Sequence, residues 1–127
     1  MNLPSFIAVG VGAAIGAWLR WGLGLLLNPL FLTFPLGTLA ANLVGGYLMG
    51  IALGLIHAMP ELPPHLKLLI TTGFLGGLTT FSSFSAEVYH LFERQSYGWA
   101  GAVLLMHVAG SLLLTWLGVL SFNAWRG

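Results

Sequence analysis

The chain has 127 residues, 57% of them hydrophobic and 6% charged, with a formal net charge of +1 and a mean hydropathy of +0.93. One domain of that length cannot hide so much apolar surface from water, so composition excludes a solvated globular domain and a disordered chain and makes the bilayer the solvent. The absence of cysteine excludes disulfides and thiolate chemistry, and the near-zero charge excludes a polybasic surface for nucleic acid.

A spanning helix needs about 20 apolar residues. Four stretches meet that length, at about 3–27, 34–56, 66–92 and 97–124. They predict an all-α integral membrane fold in which residues 1–127 form a single four-helix domain. The connectors are short, which makes neighbouring helices run antiparallel. The first span carries one charge, Arg20. Near the end of its helix, Arg20 can anchor at the interface or draw anions toward a vestibule.

The second span carries Thr38 and Asn42 and no charge. Asn42, Gly46, Gly50 and Gly54 recur every four residues and share one helix face. Two readings stay open for that face. It is a small-residue packing seam with Asn42 as glue, or it aims an amide donor into a pathway.

The third span runs Gly73-Phe74-Leu75-Gly76-Gly77-Leu78-Thr79-Thr80-Phe81-Ser82-Ser83-Phe84-Ser85 at its centre. Glycine and threonine weaken a helix, and hydroxyls compete for its backbone bonds. A break is expected around Gly76–Thr80, near the middle of the span. Broken backbone at that depth is tolerated only inside protein or along a cavity, and it frees carbonyl oxygens that suit a hard cation. Phe81 and Phe84, three residues apart, fall on one side of the helix that follows. They are packing residues, or their positive ring edges face an anion among the hydroxyls of Ser82, Ser83 and Ser85.

The fourth span places His107, Ser111 and Thr115 four residues apart, a polar stripe about 12 Å long. The stripe is either a helix–helix seam or one wall of a path. Glu87 is the only acid inside any span. No nucleotide-binding, zinc or nucleophile–base motif is present, so the chain is not expected to be an enzyme.

Orientation is balanced. With both termini on one side, Lys67 and Arg126 face that side while Arg20 and Arg94 face the other. The positive-inside rule then has nothing to choose between. Either the bias is carried by some other signal, or the chain inserts both ways round; the second is the sharper reading and would allow an antiparallel homodimer.

These residues resemble the Fluc family of bacterial fluoride channels, also called CrcB. The resemblance covers the whole chain and rests on Gly12 to Arg20 (GAAIGAWLR), Gly37 to Gly45 (GTLAANLVG), Gly73 to Glu87 (GFLGGLTTFSSFSAE) and Gly110-Ser111. It implies a dual-topology antiparallel homodimer in the bacterial inner membrane that passes fluoride down its electrochemical gradient through two symmetry-related pores. Such a channel lowers cytoplasmic fluoride and its toxicity. Phe81 and Phe84 match the family's paired phenylalanines, Asn42 its pore asparagine, and Ser83 a position where threonine is frequent. His107 and Ser111, with Thr115 one turn on, match a polar track on the fourth helix. Gly76 and Thr79 match positions whose backbone carbonyls hold a structural Na⁺ on the dimer axis. Arg20 falls at the vestibule.

A small dual-topology proton-coupled multidrug exporter is the alternative. Such exporters need a membrane carboxylate, usually in the first span, and that span has no acid. A non-transporting assembly subunit accounts for the glycine seams and leaves the hydroxyl-rich break without a purpose.

Overall fold

The computed structural model describes all 127 residues and contains helices and turns without strands. Helix α1 spans Leu3–Leu27 and α2 spans Leu36–Ala58. The third span is composite: α3 (Pro64–Leu68), a π-helical segment (Leu69–Leu75), α4 (Gly76–Leu78), and, after two extended residues, α5 (Phe81–Glu93). Helix α6 covers Tyr97–Arg126. Four helical stretches are long and apolar enough to cross a membrane.

Local chemistry sets the ends. Asn2 caps α1, its Oδ1 accepting from the Ser5 amide at 2.9 Å, and Pro4 sits in the first turn where no amide is missed. Asn28 closes α1 and reaches across to α2, its Oδ1 accepting from the Gly37 amide at 2.7 Å. Between α5 and α6 the chain reverses through Gln95, which has a φ of 58°. The Ser96 amide donates to Leu91 O at 2.8 Å and the Gln95 amide to Phe92 O at 2.9 Å, satisfying carbonyls at the end of α5.

The helices pair across the sequence rather than along it. The Cα of Gly12 faces the backbone at Leu69 and Phe74, and that of Gly16 faces Phe74 and Leu78. Residue numbers rise together on both sides, so α1 runs parallel to 64–78. In the same way Gly46 faces Ser111, Gly50 faces Gly118 and Gly54 faces Phe122, so α2 runs parallel to α6. Glycine is required at these crossings because a Cβ has no room. One added at Gly50 falls 2.8 Å from Gly118 Cα, and one at Gly77 falls 2.9 Å from Ala13 Cα. The glycines of the α2 face are therefore a packing seam against α6, as one of the two readings of that face held.

Most buried apolar side chains gather in two small clusters. Phe34, Phe84, Val88, Leu91, Ala100 and Val103 join α5 to α6, and Ala41, Ala52, Leu75 and Leu78 lie on the other side of the break. Most large apolar side chains point outward, among them Phe6, Trp18, Trp21, Leu105 and Trp116. An outward apolar surface is what a bilayer or a second chain covers.

Candidate functional site

The break lies at Thr79 and Thr80, at the C-terminal end of the window expected from the sequence. Thr79 (φ −84°, ψ 160°) and Thr80 (φ −153°, ψ 118°) are extended, whereas Gly76 is still helical with φ −63°. Asn42 holds the break open. The Thr80 amide donates to Asn42 Oδ1 at 2.8 Å, and Asn42 Nδ2 donates to the Thr80 carbonyl at 3.1 Å. One side-chain amide thus pairs the Thr80 N–H that leaves the helical ladder, as a buried peptide group requires, and adds a donor to the carbonyl that begins α5.

The break also redirects the neighbouring amides. In a continuous helix Thr80 N–H would serve Gly76 O, and Ser83 N–H would serve Thr79 O. Here Thr80 N–H serves Asn42, and Ser83 N–H donates to Thr80 Oγ1 at 3.1 Å, which caps α5. The carbonyls of Gly76 and Thr79 leave the helical ladder. Gly77 O accepts from Arg20 Nε at 3.1 Å, so the arginine of α1 docks on the backbone just before the break.

Two hollows meet at this point, and a third lies further along α5. The one that gathers most of the expected residues has a volume of about 470 Å³ and is walled by Asn42, Thr79, Phe81, Phe84, His107 and Ser111, with Gly76 and Thr115 also on its wall. Its two rings differ. Phe84 is buried, Phe81 is 77% exposed, and their centroids lie 5.5 Å apart at 78°, an edge-to-face pair. Phe84 stacks on the imidazole of His107, with centroids 4.5 Å apart and planes 26° apart. His107 is 3% exposed, and its Nδ1 lies 2.9 Å from Asn42 Nδ2. Below it, Ser111 Oγ lies 3.5 Å from Asn42 O, and Thr115 Oγ1 lies 2.9 Å from both Gly46 O and Ser111 O. The stripe on α6 therefore meets α2 along its length and the break at its top.

Ser83 does not join this hollow. It lines a second one, of about 500 Å³, with Arg20, Trp21, Thr38 and Thr80. The turn at Thr79–Thr80 fixes the rotation of α5, so Ser83 faces Arg20 while Phe84 faces His107. Glu87 sits one turn further along, beside Thr38, in a third hollow shared with Asn28, His90 and Arg94; its Oε1 is buried without a partner.

Sequence reasoning did not single out Thr80 or Thr71, both on the wall of the first hollow. For Thr80 a signal existed. A threonine immediately before an amphipathic run is a helix-cap signal.

A protein-family model described as CrcB-like protein, Camphor Resistance (CrcB), matches residues 7–119. The chain belongs to the CrcB family. Among its similar proteins is the fluoride-specific ion channel FluC of Aromatoleum aromaticum, 67% identical over 99% of this chain and 96% of that protein. The FluC of Cupriavidus necator is 57% identical over 97% of this chain and 98% of its own length. That of Nitrosospira multiformis is 54% identical over 95% of this chain and 94% of its own. The CrcB match takes in the break, the polar stripe and Arg20.

Proposed function

We infer that this chain is a fluoride-selective ion channel that lets fluoride leave the cytoplasm down its electrochemical gradient. The observation that carries the reading is identity over nearly the whole chain with proteins named as fluoride-specific channels. A channel moves an ion without covalent chemistry, in keeping with a chain that shows no nucleophile–base motif. Fluoride is small and strongly hydrated, and stripping an ion without compensation costs on the order of tens of kcal/mol. A pore must return most of that through donors without holding the ion. The hollow between the break and α6 offers neutral polar groups and ring edges in place of a formal charge. Fluoride efflux from liposomes containing the purified protein tests the reading. Chloride flux equal to fluoride flux overturns it.

The pathway follows the hollow beside the break: Asn42, Phe81, Phe84, His107, Ser111 and Thr115 line it, and Ser83 stands with Arg20 at a polar vestibule. The functional unit is an antiparallel homodimer in the bacterial inner membrane. Four helices enclose no complete pore, Phe81 and Gly76 lie open on the surface, and a second chain supplies the missing wall. The even split of Lys67 and Arg126 against Arg20 and Arg94 supports insertion in both orientations. Reporters fused to the C-terminus should appear on both sides of the membrane, and a single location sinks the dual topology. Adding three lysines to one connector should force one orientation and abolish flux until an oppositely biased copy is co-expressed.

A structural Na⁺ fits the carbonyls of Gly76 and Thr79, which leave the helical ladder at the break. Two copies of this pair would give an all-oxygen cage for a hard cation. It would add positive potential near the anion path. Replacing Na⁺ by a large organic cation should loosen the dimer on size exclusion; an unchanged dimer overturns the assignment.

A further inference from the structure

Gly12, Gly16 and Arg20 fall four residues apart on one face of α1. The two glycines lie against the backbone of 64–78, and a Cβ added at Gly16 falls 3.0 Å from the Gly77 carbonyl carbon. Arg20 stands one turn further on. Helical side chains lean toward the N-terminus, so Arg20 folds back over that carbonyl, and its Nε donates to Gly77 O at 3.1 Å. The glycine seam thus ends in a polar fastening at the last turn before the break.

The fastening falls where the backbone has least stiffness of its own. Gly76 and Gly77 are adjacent, and neither has a Cβ to limit rotation of the peptide groups around it. Gly77 has no room for a stiffer residue, because a Cβ there falls 2.9 Å from Ala13 Cα. The helical ladder does not hold these peptides either. In an unbroken helix Gly76 O would accept from Thr80 N–H, and Gly77 O from Phe81 N–H. The Thr80 amide goes to Asn42 Oδ1 instead, and Gly77 O takes Arg20. Of two neighbouring carbonyls, one is emptied and the other filled. A guanidinium here also complements the negative end of the helical half that stops at the break.

We propose that Arg20 is a positioning residue for the Na⁺ site: by holding Gly77 O it fixes the glycine pair, so that the adjacent Gly76 O stays turned to the cation. The proposal rests on the reading that the carbonyls of Gly76 and Thr79 hold Na⁺. It gives the arginine a task separate from drawing anions. That task uses Nε, and the Nη groups are left to the second hollow, whose wall Arg20 shares with Thr38, Thr80 and Ser83. The guanidinium charge by itself repels a cation. Geometry and charge therefore act in opposite directions on Na⁺ binding, and a variant that loses both shows which one rules.

The test follows the melting temperature of the full-length dimer in detergent micelles as Na⁺ replaces N-methylglucamine at constant ionic strength. A cation bound only by the folded protein raises that temperature with a concentration dependence set by its affinity. Arg20→Met keeps apolar bulk and removes donor and charge. The Na⁺ concentration giving half of the full rise should increase roughly tenfold, the worth of one hydrogen bond to a charged group. Arg20→Lys keeps the charge and a donor and should recover most of that loss. An arginine that only braces the fold would lower every melting temperature alike and leave the midpoint in place. An unchanged midpoint in Arg20→Met, or a lower one from relief of charge repulsion, overturns the proposal. If Arg20→Met does not fold, the same coupling is read from the other side, because linkage is reciprocal. With Arg94→Lys and Arg126→Lys, Arg20 is the sole arginine, and its ¹⁵Nε resonance should shift when N-methylglucamine replaces Na⁺. A resonance indifferent to the cation overturns the proposal. Wild-type protein whose melting ignores Na⁺ removes the cation site itself, and the positioning role falls with it.

Discussion

The two halves of the third span are held in opposite ways. The half before the break, 64–78, lies against α1 with backbone on backbone, because Gly12, Gly16, Gly73 and Gly77 present nothing larger than a hydrogen. The half after it, α5, docks on α6 through large side chains: Phe84, Val88 and Leu91 against Ala100 and Val103. The first contact is defined by what is absent, the second by what fills it. Close backbone contact leaves no room for adjustment, so the first half is a rigid frame. The second half is held by side chains around Phe84, and the hollow spans the joint, with Thr71, Leu75 and Gly76 of the first half and Phe81 and Phe84 of the second on its wall.

The largest expected effect comes from adding a side chain to the frame. Gly77→Val would drive its branches into Ala13, where even a Cβ lies 2.9 Å from Cα. Overpacking a core costs about 1–3 kcal/mol when side chains can move, and here the obstacle is backbone. No dimeric protein should be recovered on size exclusion; well-folded Gly77→Val protein would mean the frame is less rigid than its contacts say. Next is Asn42→Asp, at the joint between the halves. Its carboxylate still accepts from the Thr80 amide but cannot donate to the Thr80 carbonyl, and it places negative charge on the path. Fluoride efflux should be abolished in protein that still forms dimers, and residual efflux near wild type would clear Asn42 of any part in the path.

A subtler change sharpens the contrast within α5. Phe81→Ile keeps bulk and removes the ring edge at an exposed position, so thermal stability should hold while flux falls roughly tenfold, if a ring edge is worth about 1–2 kcal/mol to an ion as a ring face is. Phe84→Ile should lose both flux and stability, because that ring is buried in the α5–α6 cluster and stacks on His107. Equal melting temperatures for the two variants would erase the distinction. The smallest effect belongs to Thr79→Ser. It keeps the backbone carbonyl and the hydroxyl that donates to Leu75 O, and efflux should change by less than about twofold.

Much of this plan was legible in the sequence. Hydropathy and the sparse charges set the four spans within a few residues of the helices observed, and the glycine rows at 46, 50 and 54 marked a helix contact. The break was expected between Gly76 and Thr80, yet the glycines do not make it. They stay helical, and the turn falls on two threonines, where an asparagine 38 residues before Thr80 binds that residue's amide and carbonyl. A pairing at that separation has no local signal. The π-helical turn over Leu69–Leu75 is equally silent, since its spacing answers to the fit against α1. The placement of Ser83 beside Arg20 follows from the dihedrals of Thr79 and Thr80, which composition and periodicity do not encode. The hydrogen-bond chain from Thr80 through Asn42 to His107 joins three spans, and no single stretch of sequence encodes it.

The pairing of α1 with the third span and of α2 with α6 sets a schedule for biogenesis. Each helix finds its parallel partner only after the span between them has been made, about 60 residues later, so the contacts are strongly non-local. A nascent chain with two spans in the membrane has neither parallel pair in place. Its architecture closes only when the fourth span arrives. Until the third span joins α1, the emerging chain has few tertiary contacts to oppose a reversal.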